Sequence, residues 1–246
     1  MFRLLKFGME ARWVLELAAH YGSSSWLRKL PRGDGHPVIV FPGFLTSEIS
    51  TRPLRRFLTS LGYQVHDWGL GRNLRHGREV DDEIQAMVEK RFVESGQKVT
   101  LIGWSLGGIF AREFARNNPD MVRNVLSLGS PIAGPQHVTL IGPIYQFLNG
   151  EFDPDLLQKI ENLKKSLPVP SSVIYSKNDG IMHWRGARQA VGDLSENIHV
   201  PASHLGMGSN PLVLYVIADR LRQAENTWSP FKAEGRIGKF YRQDAA

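Results

Sequence analysis

The 246-residue sequence predicts an α/β protein, a mostly parallel sheet of about six strands with helices on both faces. Three observations predict it. Short apolar, β-branched runs recur along the chain, and between them lie segments whose apolar residues repeat at helical spacing. One of those runs passes straight into a helix through a glycine-flanked turn, Gly103-Trp104-Ser105-Leu106-Gly107. Alternating strands and helices are joined by crossovers, which make the strands parallel and cover the sheet on both sides.

The first strand is "HPVIVFPG", ended by Pro-Gly. Pro53 to Gly62 forms a helix with Leu54, Phe57, Leu58 and Leu61 on one face. "YQVHDWGL" is the second strand. "REVDDEIQAMVEKRFVESG" then sets Val80, Ile84, Met87, Val88 and Phe92 on a helical face and stops at Gly96. "QKVTLIGWS" is the third strand and Leu106 to Arg116 the third helix. "VRNVLSLGSP", "SSVIYSKNDG" and "ENIHVPASH" complete the six strands, and "NPLVLYVIADRLRQ", with Pro211 in its first turn, is the last helix. Residues 132–170 break this rhythm. An excursion of that length in a compact α/β unit is usually functional, and it serves either as a lid over a site or as accessory packing. No repeat, linker or low-complexity tract divides the chain, so a single domain over residues 1–246 is expected.

Residues 1–32 form an accessory region. Phe2, Leu5, Met9, Trp13 and Leu17 recur at helical spacing, while Lys6, Glu10, Arg12 and Glu16 cut the apolar stretches too often for a signal-peptide core or a membrane span. The stripe predicts a helix packed on the domain, with peripheral contact to a membrane surface as the alternative. A cytoplasmic location is the default expectation.

Composition narrows the function. With 42% hydrophobic and 22% charged residues the chain is neither disordered nor a multi-span membrane protein. It has no cysteine, which excludes disulfides, thiolate zinc sites and a cysteine nucleophile. The net charge of +6 comes from short, separated basic clusters (Arg52/Arg55/Arg56, Arg72/Arg75/Arg78, Lys232/Arg236/Lys239/Arg242) with no nucleic-acid motif beside them. A solvated surface is the simpler account, and no nucleic-acid partner is expected. No metal-ligand spacing, dinucleotide fingerprint or P-loop occurs, so neither metal nor cofactor is expected.

The chemistry gathers at Ser105. A G-x-S-x-G between a strand and a helix is a nucleophile elbow, in which the serine takes an unfavourable backbone conformation and glycines on both sides permit close packing. A serine hydroxyl needs a base, and the base an orienting acid, in the chain order Ser, Asp or Glu, His. His204 leaves the last strand at the sheet's carboxyl edge and is the chosen base; Asp179 leaves the preceding strand and is the acid, with Asp153 and Asp155 of the inserted segment, which read as helix N-terminal charges, as the alternatives. His183 is the rival base, only four residues from Asp179. His199 lies within a strand and His137 in the inserted segment. The oxyanion donors are the backbone N–H groups of Leu106, after the nucleophile, and of Phe44, in the Gly-containing loop after the first strand.

From Pro37 to Arg222 these segments resemble the α/β-hydrolase superfamily, and more narrowly its lipase and esterase branch. The resemblance rests on "VIVFPGF", "GWSLGG", "LGSP", "SKNDGIM" and "SHLGM". It implies Ser105 as nucleophile, Asp179 as acid and His204 as base. Two features depart from the pattern: Pro42 stands where the oxyanion loop usually carries histidine, and the first strands of the full-length fold are absent or replaced by the N-terminal helix. The expectation is therefore a reduced α/β-hydrolase fold, carrying a lid or cap insertion.

Substrate residues are less sharply marked. Ile144, Phe147 and Leu148 of the insertion line an acyl groove or fill core; Trp104 shapes the pocket or is buried bulk; Arg72 and Asn73 touch substrate or stabilise a turn. The expected activity is hydrolysis of small-molecule or lipid carboxylic esters of apolar acyl groups. The alternatives are an acyltransferase or thioesterase using the same three residues, and a catalytically silent membrane-surface or binding module.

Overall fold

A computed structural model describes residues 8–74, 77–133, 162–163, 165–233 and 235–243. A 3₁₀ turn, Met9–Arg12, runs into α1 (Trp13–Gly22) and a short α2 (Ser24–Leu27). The sheet is then built from β1 (Pro37–Phe41), β2 (Gln64–Asp67), β3 (Val99–Trp104), β4 (Val122–Leu128), β5 (Ser171–Tyr175), β6 (Ser195–His199) and β7 (Arg242–Gln243). Its helices are α3 (Arg52–Ser60), α4 (Arg78–Ser95), α5 (Leu106–Asn117) and α6 (Pro211–Leu221).

The strand order is β2-β1-β3-β4-β5-β6-β7. The first six strands pair in parallel, as the alternation of elements predicts. The seventh is an addition: two residues from the basic tail pair antiparallel with Ile198 and His199 of β6. No apolar pattern announces so short a strand, because backbone hydrogen bonds alone recruit it.

Period-two geometry explains how both faces of the sheet become core. Val38 and Val40 of β1 pack with Leu54, Phe57 and Leu58 of α3 and with Val213, Leu214, Val216 and Ile217 of α6. Ile39 and Phe41 point the other way, into a cluster with Val80, Ile84 and Val88 of α4 and Phe110 and Phe114 of α5. Strands buried on both sides read as continuous apolar runs, which is why β1, β3 and β4 stand out in the sequence. α4 stops where Gly96 adopts a left-handed φ of 64° and its N–H bonds back to the Phe92 carbonyl.

The N-terminal helix is present; of its predicted stripe Trp13 is exposed and Leu17 half-buried. Trp13, Val14, Leu15 and Tyr21 are exposed, whereas Glu10 and His20 are buried and Glu16 partly so. The helix meets the body through its polar side chains, because backbone N–H groups of two loops offer those carboxylates better partners than water. Phe2 and Leu5 lie outside the described residues. Among the described residues no helix is long and apolar enough to cross a membrane.

Candidate active site

Ser105 is the single residue between β3 and α5. Its φ of 53° and ψ of −121° put a β-carbon where one is disfavoured, at a cost of roughly 1–3 kcal/mol. Among the described non-glycine residues only Leu45 and Asn226 share a positive φ, and Leu45 belongs to the loop expected to supply an oxyanion donor. The turn is held from outside: the Ser105 N–H donates to the Leu128 carbonyl at 2.8 Å. The flanking glycines are required by close approach. A β-carbon on Gly103 would overlap the Gly108 Cα, and one on Gly107 would lie 2.5 Å from the Phe41 carbonyl oxygen and 2.7 Å from that of Pro42. Leu106 opens α5, where N–H groups have no partner within the helix and the dipole favours negative charge.

Asp179 and His204 leave β5 and β6, which are adjacent and parallel, so their loops emerge side by side at the carboxyl edge. Both side chains are buried, at 5% and 2% exposure. The imidazole Nδ1 lies 2.7 Å from Asp179 Oδ2. This partner assigns the proton to Nδ1 in the neutral ring and leaves Nε2 as a base. The other Asp179 oxygen accepts from the Ile181 N–H at 2.9 Å and the Met182 N–H at 2.6 Å. His183, the rival, is engaged elsewhere: its Nδ1 accepts from the Arg185 N–H at 3.4 Å and its ring stacks on Trp184. Burial pulls the His204 imidazole toward its neutral form. The charge and hydrogen bond of Asp179, with the charge of Glu10 added, outweigh that pull and raise its pKa above the ordinary value.

Further contacts draw these parts together. The Trp104 indole, immediately before the serine, donates to the His204 carbonyl at 3.1 Å. A β-carbon on Gly129, at the end of β4, would stand 3.1 Å from His204 Nδ1 and 3.2 Å from Asp179 Oδ2. One on Gly43 would stand 3.3 Å from the Ser105 Cβ, so the loop after β1 abuts the serine. Ser176 Oγ accepts from the N–H groups of Asn178 and Ala202, one on each loop.

The residues predicted to touch substrate divide. Trp104 is buried and bonded to the His204 backbone as described. Asn73 is fully buried; its side-chain amide donates to the Pro42 carbonyl at 2.8 Å, while its backbone exchanges bonds with Leu45 and Thr46. It therefore braces the loop that carries Phe44, which is itself buried. Arg72 is exposed. Ile144, Phe147 and Leu148, with most of the inserted segment, lie outside the described residues. Leu163 and Leu167, at the segment's far end, are core residues.

Sequence reasoning missed a group at the N-terminus. Glu10 accepts from the N–H groups of Gly180 at 2.7 Å, His204 at 3.0 Å and Leu205 at 2.9 Å. Glu16 accepts from the Ser203 N–H and hydroxyl at 2.8 and 2.7 Å, and Arg12 donates to the Asn178 carbonyl at 3.3 Å. Burial raises the Glu16 pKa against those hydrogen bonds and the Arg12 charge. The only signal in the sequence is that these three residues cut the apolar stretches of the N-terminal segment. Among the described residues no group of three or more His, Asp or Glu could hold a metal ion.

With the geometry established, comparison with known proteins is informative. The family model for palmitoyl protein thioesterase matches residues 37–177, more than half of the chain. Several solved hydrolases share the fold. Lipase B of Aspergillus fumigatus superposes with a TM-score of 0.61 at 17% identity, covering 77% of this chain and 53% of that one. This chain thus spans about half the length of that lipase. The esterase domain of a Rhodothermus marinus protein gives 0.58 at 20% identity, covering 78% of this chain and 90% of that one. The mature lipase BlEst2 of Bacillus licheniformis gives 0.59 at 15% identity, with coverages of 79% and 95%. No curated protein sequence matches the chain.

Proposed function

Because the chain belongs to the palmitoyl protein thioesterase family, with an α/β-hydrolase fold, we propose that it is a serine hydrolase releasing apolar acyl groups from carboxylic esters through an acyl-enzyme. The observation that carries this reading is the buried 2.7 Å contact between His204 and Asp179, together with a serine in strained elbow geometry whose neighbour Trp104 donates to the His204 carbonyl.

In this mechanism His204 Nε2 takes the proton of Ser105 Oγ as the oxygen attacks the acyl carbonyl. Asp179 keeps the imidazole in its Nδ1–H tautomer and stabilises the imidazolium that forms. The developing oxyanion is held by the Leu106 and Phe44 N–H groups; losing one such donor typically costs about 2.7–4 kcal/mol. The C–O bond to the leaving alcohol breaks, His204 returns the proton to that alcohol, and Ser105 remains acylated. Water, deprotonated by the same imidazole, then attacks the acyl-enzyme and frees the acid and the serine.

The family match favours a second reading, in which the bond cleaved is a thioester and the leaving group a thiol. The same steps serve both. Rates on matched oxygen and sulfur esters of increasing acyl length decide between them and measure the acyl preference. Ser105→Ala should lower kcat by roughly 10⁴–10⁶ on every substrate turned over. Full activity in that variant removes the proposal.

A further inference from the structure

The three N–H groups held by Glu10 belong to two different loops. Gly180 follows Asp179 directly, and the other two donors are the backbone of His204 itself and of Leu205. Glu10 is only 2% exposed. A carboxylate so far from water needs compensating partners, and three N–H donors converging on two oxygens supply them. Neighbouring side chains on the same helical segment repeat the arrangement, Arg12 on Asn178 and Glu16 on Ser203. Thus one short stretch of chain, more than 160 residues away in sequence, clamps both sides of the acid–base pair.

We propose that Glu10 is a positioning residue for hydrolysis: its carboxylate ties the Asp179 loop to the His204 loop and so sets the imidazole in line with Ser105. The inference rests on the serine-hydrolase reading and deepens it. The His204 Nδ1–Asp179 Oδ2 distance depends on two loops that Ser176 Oγ joins before the pair, at Asn178 and Ala202, and Glu10 joins them a second time at Gly180, His204 and Leu205, directly beside the pair. It acts through backbone groups and never touches substrate. Its negative charge also favours the imidazolium form of His204. The groups facing that imidazole are Asp179 from the β5 loop and Glu10 from the N-terminal segment, while the elbow presents Trp104 and the end of β4 presents Gly129. Glu16 and Arg12 stand one step further out, on Ser203 and Asn178.

The test compares wild type with Glu10→Gln, Glu10→Ala and Glu10→Asp, each checked by thermal melting to be folded at the assay temperature. Glu10→Gln and Glu10→Ala should lose about 10- to 100-fold in kcat with KM nearly unchanged, because misplacing a reacting group by about 1 Å carries that cost. Their acid limb in kcat/KM should move to lower pH, since removing the negative charge lowers the His204 pKa. Glu10→Asp keeps the charge, so its acid limb should stay near the wild-type position while kcat falls by less. A purely structural residue would lower the melting temperature and leave the acid limb in place. Where the first two variants do not fold, Glu10→Asp decides, because one methylene less cannot reach all three donors and an unchanged kcat overturns the inference. Labelling of wild-type Ser105 by an alkyl phosphonate separates the two levels. No adduct overturns the hydrolase reading itself, whereas an adduct together with folded Glu10 variants of unaltered kcat overturns only the role of Glu10.

Discussion

His204 is buried yet carries a raised pKa, because Asp179 and Glu10 place two negative side chains against it where burial alone would favour the neutral ring. In the proposed mechanism this imidazole is the base, and a base works only when deprotonated. The acid limb of kcat/KM should therefore lie above about 6.5, the ordinary imidazole value. Asp179→Asn removes the charge with the stronger pull on the imidazole and presents an amide to Nδ1. The limb should move down in pH, and kcat should fall by about 10⁴, the scale seen when the orienting acid of such a triad becomes an amide. A pH–rate profile of the variant that overlays the wild type would contradict this account of His204. The residues of this pair are legible in the sequence, since each follows an apolar strand and their order matches the elbow pattern. Glu10 is not legible, because its partners are backbone N–H groups, which no side-chain pattern marks.

At the scale of elements, the parallel strands announce themselves, the edge strand β2 included, and the short antiparallel β7 is silent. β7 is two polar residues attached by backbone bonds, so apolar periodicity misses it; α1 leaves Trp13, Val14, Leu15 and Tyr21 exposed and Leu17 half-buried. A buried cation gives a similar lesson. Arg112 lies on α5 among apolar residues and is fully buried; its guanidinium donates to Gln189 Oε1 at 2.6 Å and to the carbonyls of Leu163 and Lys165 at 2.9 and 3.2 Å. Burial, with the neighbouring Arg116 charge, pulls its pKa down to about 9. Arg112 thereby pins the returning end of the inserted segment to α5. Arg112→Met fills much of the same volume but strands the Leu163 carbonyl, at about 1–3 kcal/mol, while Ser171 still donates to Gln189 Oε1 and Arg116 to the Lys165 carbonyl. Denaturant melts should show a loss of about 1–3 kcal/mol, and a variant as stable as wild type would exclude this role.

On the scale of the whole molecule, the parallel part of the sheet follows from alternating elements, and crossovers place the carboxyl ends of β1 to β6 on one edge. Three strand-to-loop exits therefore deliver Ser105, Asp179 and His204 to the same rim. The sequence carries that much because each exit is local. The seat of the N-terminal segment across the β5 and β6 loops is a tertiary fact: the residues it joins are separated by as many as 195 positions. The central claim is that these distant parts make one nucleophilic serine. Intact-mass analysis after exposure to a long-chain alkyl phosphonate tests it most directly, using wild type, Ser105→Ala and His204→Ala. The account predicts a single adduct on Ser105 of the wild type, none in Ser105→Ala and strongly slowed labelling in His204→Ala. An unlabelled wild type, or labelling indifferent to loss of the imidazole, would contradict it.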